Sequence, residues 1–159
     1  MTLLKQNSNL IKNDKINQFG CRFMSLIGIV QIYMNKELNA DQILSIYNEA
    51  IKDAEVMNSN CLCGKKEHLI GSHAFTSLQS NLNLIQIGSR VDNVNKDWQG
   101  NTIKPADTIY TILKYKNQWG NHFTVGDLNG IEIYDPWNYS ISNINLKEEL
   151  ENTYVYKIY

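Results

Sequence analysis

Apolar side chains run nearly unbroken from Phe23 to Met34, interrupted only by Ser25, Gly28 and Gln31. Such a run occupies every side of a helix, so a helix over Cys21 to Met34 must be enclosed by other structure. Gly28 in its middle lowers helix propensity and leaves room for a neighbouring element to approach closely. The next segment has one apolar face instead. Ile43, Ile46, Tyr47, Ala50 and Ile51 recur at i, i+3, i+4, i+7 and i+8, which predicts an amphipathic helix from Ala40 to about Ala54. Asn39 and Gln42 have the spacing of a capping box at its start. Residues 57 to 75 show no period and read as irregular, followed by a short helical stretch around Phe75 to Leu82.

The period then changes. Thr108 to Lys116 is β-branched and aromatic, and His122–Gly126, Ile131–Tyr134 and Thr153–Tyr159 are strand-like. Asn129-Gly130 between two such runs is a strong hairpin signal. Helices first and an antiparallel sheet afterwards predict an α+β fold, as one domain over residues 1–159.

Composition narrows the function classes. Hydrophobic residues make up 43% and charged residues 19%, an ordinary globular balance. Fifteen basic against 16 acidic side chains give a net charge of -1, with no basic excess to follow a nucleic-acid backbone. The N-terminal residues lack the apolar stretch of a signal peptide, and the longest apolar run is too short to span a bilayer. Three cysteines in such a chain argue against a disulfide framework and for a reducing, cytoplasmic setting.

Three residues stand in settings that suit covalent catalysis. Cys21 follows Gly20 at the start of the apolar helix, where unpaired amides and the helix dipole stabilise a thiolate and can hold an oxyanion. His122 opens one arm of the predicted hairpin and Asp135 ends the other. With a four-residue loop, Gly126 faces Ile131 and His122 faces Asp135; with a two-residue loop, the pair become diagonal neighbours. Both registers put imidazole and carboxylate on one face, whereas a three-residue loop separates them. A thiol needs a base and the base needs an orienting partner, and this set supplies one residue for each role.

Gly20-Cys21 leading into the helix, His122-Phe123-Thr124-Val125 and Asp135-Pro136-Trp137 resemble papain-like cysteine peptidases of the bacteriocin-processing (double-glycine leader) type, a bacterial and phage theme. The resemblance covers roughly residues 17 to 34 and 106 to 137. It implies a papain-like fold with Cys21 as nucleophile, His122 as base and then acid, and Asp135 as orienter of the imidazole. It also implies a glutamine upstream of the cysteine as oxyanion donor, for which Gln18 is the candidate and Asn17 the substitute. No metal or organic cofactor is implied, and the substrate is a peptide or related amide.

Each signal has a plainer reading. Cys21 also reads as a small buried hydrophobe, and Asp135-Pro136 as ordinary turn chemistry. Asp127 is a second acid near His122 but belongs to the loop. Cys61, Cys63, His68 and His73 fit a zinc template only imperfectly, so no metal is assigned. Trp98, Trp119 and Trp137 read first as core residues, with Trp119 as a cover for His122 the alternative. Glu132 and Tyr134 are expected to point away from His122, and the lysine-rich segments to be solvated. Two other functions share the same residues: a phage-type peptidoglycan amidase or endopeptidase, and a non-catalytic interaction module.

Overall fold

The computed structural model describes residues 1–52, 67–90 and 95–159. Among the described residues there are four helices and five strands: α1 (Asp14–Phe19), α2 (Cys21–Met34), α3 (Ala40–Lys52), α4 (Glu67–Ser77), β1 (Leu84–Arg90), β2 (Ile109–Asn117), β3 (Gly120–Gly126), β4 (Glu132–Tyr134) and β5 (Glu149–Ile158). The strands form one antiparallel sheet in the order β1-β5-β2-β3-β4. The fold is therefore α+β, with helices early and the sheet late.

Helix α2 covers the expected residues and is buried from Phe23 to Gln31. Its enclosure is visible at Gly28, where an added Cβ would lie 3.0 Å from two ring carbons of Tyr134 on β4. The glycine thus lets helix and sheet meet at a distance that a larger residue would forbid. Helix α3 is closed by the expected capping box, Asn39 Oδ1 accepting from the Gln42 amide at 2.8 Å and Gln42 Oε1 from the Asn39 amide at 2.9 Å. Residue 54, the expected end of this helix, lies outside the described residues.

The stretch from 67 to 77 differs from its expected irregularity and is helix α4. Its buried residues Ile70, Gly71, Ala74 and Phe75 repeat at i, i+1, i+4, i+5, but two are small and one is glycine, so the apolar stripe is faint in the sequence. The helix stops at Ser77, and Gln79 adopts φ 61°, which ends any continuation to Leu82. Strand β1 has no sequence signal of its own, since Gln86, Gly88 and Ser89 break its alternation.

Alternation in β5 divides the apolar side chains between two faces. Tyr154, Tyr156 and Ile158 join the main core with α2, α3 and α4, while Val155 joins a smaller cluster with Ile103 and Ile109. No helix among the described residues is long and apolar enough to cross a membrane.

Candidate active site

Gly20 ends α1 and caps α2, its amide donating to the Ile16 carbonyl at 2.9 Å and its carbonyl accepting from Met24 at 2.8 Å. A Cβ there would meet the Ile16 oxygen at 2.5 Å, so the tight junction that presents Cys21 requires glycine. No side chain caps α2. Its first-turn amides are left for whatever lies beside Cys21, which is itself only 7% exposed.

The hairpin carrying the other two residues has neither expected register. Gly126 pairs with Glu132, leaving five loop residues from 127 to 131, and Val125 pairs with Tyr134 across a bulge. An odd loop alone would send His122 and Asp135 to opposite faces. The extra residue in the bulge, Ile133, restores the parity. His122 Nε2 consequently lies 2.7 Å from Asp135 Oδ1, with the imidazole 2% exposed and the carboxylate 10%.

The same Asp135 oxygen accepts the Trp137 amide at 2.9 Å, so the Asp-Pro-Trp turn fixes the carboxylate while it faces the histidine. The turn and orienting roles coexist. Asp127 is a loop residue as expected, its Oδ1 capping the amides of Asn129 at 2.8 Å and Ile131 at 3.0 Å.

An ionised Asp135 on Nε2 sets the tautomer of neutral His122, leaving the Nδ1 lone pair for another proton. Cys21 lines the same cleft as the imidazole, its thiol donating to the carbonyl of the neighbouring Asn121 at 4.0 Å. Burial is the strongest influence on His122 and works against its charge. Hydrogen bonds and charge from Asp135 and Cys21 outweigh it and raise the pKa to about 9. Burial likewise pushes Asp135 upward, but the hydrogen bond and charge of His122, with the Trp137 amide and the Tyr139 hydroxyl, hold it below its ordinary value.

Behind Asp135 sit two lysines that depart from the solvated-face expectation. Lys147 Nζ is 2.9 Å from Glu132 Oε2 and 3.5 Å from Asp135 Oδ2, and Lys5 Nζ donates to the Asp135 carbonyl. Glu132 is thereby tied to the site through Lys147, while Tyr134 packs away from it under Gly28.

The N-terminal segment brings in a residue the sequence did not single out. The Gln6 amide donates to the Pro136 carbonyl at 2.8 Å, Asn7 and Asn138 exchange hydrogen bonds at 2.9 and 3.1 Å, and the Tyr134 hydroxyl donates to the Leu4 carbonyl at 2.8 Å. This strap places Gln6, 1% exposed, in the wall of the Cys21–His122 cleft. Among the described residues its Nε2 makes a single long 3.4 Å bond, to the Asn17 carbonyl, and its Oε1 has no hydrogen-bond partner. Gln18 lines the cleft as well, but from an exposed position. Asn17 is committed elsewhere, its Nδ2 donating to the carbonyls of Gln6 at 2.6 Å and Ile11 at 3.2 Å. No periodicity or motif marks Gln6, because its place depends on contacts more than a hundred residues away.

Trp119 also lines the cleft and is 60% exposed, so the core reading fails for it; Trp98, at 65%, fails likewise. Cys61 and Cys63 lie outside the described residues. His68 and His73 are five residues apart on α4, about 140° around the helix, and so do not share a face.

Set against known protein families, curated proteins and solved structures, the chain has no match in any of the three comparisons.

Proposed function

We propose that this chain is a papain-like cysteine hydrolase that cleaves peptide or related amide bonds through an acyl-enzyme. The observation that carries the reading is the 2.7 Å His122–Asp135 pair, whose histidine lines the same cleft as Cys21 at the start of α2. The chain order Cys, His, Asp, the early helix bearing the thiol and the later antiparallel sheet bearing the other two support it together.

In this mechanism His122 Nδ1 takes the Cys21 proton, and Asp135 stabilises the resulting imidazolium through Nε2. The thiolate attacks the substrate carbonyl, and the negative charge that develops on oxygen is met by the α2 first-turn amides. Gln6 supplies the side-chain donor in preference to Gln18. It is buried and held by the strap, so its amide needs little reorganisation, whereas an exposed Gln18 must be ordered first. The imidazolium then protonates the leaving amine, and water releases the acyl group by the reverse proton path.

The test is an activated ester offered to the purified chain, followed by intact mass. The expected product is a thioester on Cys21 that disappears with time, is absent in Cys21→Ala, and forms about 100-fold more slowly in Gln6→Ala. Acylation elsewhere, or none, would defeat the reading.

A further inference from the structure

The cleft has a chemical character of its own, and the substrate class follows from it if the hydrolase reading holds. None of its twelve lining residues is Lys, Arg, Asp or Glu. Of the charged side chains around the site, Asp135, Lys147 and Lys5 stand behind His122 and Arg22 is paired with Glu67, all outside that lining. What faces the cleft is a set of carboxamides, including Gln18 and Asn121, together with the rings of Phe19, Trp119, Phe123 and Trp137.

Those rings are arranged to present apolar surface. Trp119 sits at the β2–β3 turn with its amide held by Asn117 Oδ1 at 2.9 Å, and Asn117 Nδ2 in turn donates to the Leu146 carbonyl at 3.1 Å. The turn is therefore anchored although the indole is 60% exposed. Trp137 spends its Nε1 on the Ser142 carbonyl at 3.1 Å. Phe19, 42% exposed, has no polar atom to offer. The cavity, about 350 Å³, is at the small end of the range of ligand sites, about 300–1,000 Å³.

We infer that the cleft takes an uncharged peptide stretch with an aromatic or aliphatic side chain beside the scissile bond. The exposed rings bury that side chain, and the carboxamides satisfy the neutral peptide backbone. A charged side chain in the same place would lose water and find no Lys, Arg, Asp or Glu in the lining to pair with. The carboxylate-bearing stem peptides of cell walls are the substrate this chemistry disfavours.

Peptidyl chloromethyl ketones test it, because the Cys21 thiolate displaces chloride to form a thioether whose rate is read by mass. Acetyl-Gly-Phe, acetyl-Gly-Lys and acetyl-Gly-Glu versions would be compared, with iodoacetamide as a probe that needs no cleft. The phenylalanyl probe is expected to label Cys21 at least about tenfold faster than either charged one, a difference of about 1.4 kcal/mol. That ratio should fall toward one in Trp119→Ala and stay unchanged in Trp98→Ala. Equal rates for the three probes would overturn the inference, and a preference for the glutamyl probe would do so in favour of cell-wall peptides. If iodoacetamide itself fails to select Cys21 in the wild type, the hydrolase reading falls and the inference with it.

Discussion

A buried histidine whose charge is favoured and a buried aspartate whose charge is favoured make one another necessary. His122 is raised from 6.5 to about 9, so its contribution to stability is complete below about pH 6.5 and is lost as pH rises toward 9. Asp135 is held below 3.8, so its contribution is complete above that value and is lost as pH falls through its lower folded value. The pair should therefore stabilise the fold most between about pH 4 and 6.5 and progressively less up to 9. Urea unfolding of wild type and Asp135→Asn at pH 5.5, 7.5 and 9.5 checks this: the gap between them should shrink with each step. That Cys21 starts a helix and that His122 and Asp135 meet across one hairpin was legible in the sequence, from the onset of the apolar run and from the Asn129-Gly130 turn between the two arms. Gln6 was not, since a polar residue in an aperiodic segment acquires meaning only when a distant turn binds it.

Helix α2 illustrates what hydrophobic patterning can and cannot supply. Its boundaries and its burial followed from an unbroken apolar run, and Gly28 announced a close approach whose partner only the fold identifies as Tyr134. Tyr134 immediately precedes Asp135, so the contact also positions the carboxylate. Gly28→Val should cost about 1–3 kcal/mol by overpacking, measured by urea denaturation, and should lower the reactivity of Cys21 as β4 is displaced. The β3–β4 hairpin carries the opposite lesson. Asn129-Gly130 marked the turn correctly, but the five-residue loop is one residue longer than the longer of the two expected registers allows, and the bulge at Ile133 compensates. Bulges leave no compositional trace, so a count along the sequence reached the right face through the wrong register. Helix α4 and strand β1 escaped notice for a related reason: small and polar residues occupy positions where packing, not propensity, decides the conformation.

Across the whole molecule, one side chain binds the helices to the sheet. Arg22, next to the thiol on α2, is paired with Glu67 of α4 at 3.0 Å and hydrogen-bonded to the Tyr156 hydroxyl of β5 at 3.1 Å. Its guanidinium also lies 5.1 Å from the Phe123 ring and 4.6 Å from that of Tyr154. The cluster is largely buried, so removing the cation leaves the Glu67 charge with only the Tyr156 hydroxyl, which donates to Oε1 at 2.6 Å. Arg22→Ala should destabilise the protein by about 3–5 kcal/mol, seen as a fall in Tm, with Arg22→Lys recovering only part because it lacks the planar fork. Nothing in the sequence links positions 22, 67 and 156, and the helix–sheet layering that joins them became visible only in the assembled α+β fold.

If Cys21 is a nucleophile tuned by His122 and Asp135, its alkylation under limiting iodoacetamide from pH 4 to 10, followed by peptide mapping, reveals it. Cys21 should outpace Cys61 and Cys63 well below about pH 8.5, the ordinary thiol value. His122→Ala should abolish this advantage and Asp135→Asn should reduce it. A Cys21 that reacts no faster than the other two cysteines, or whose rate is unchanged in His122→Ala, is not a tuned nucleophile.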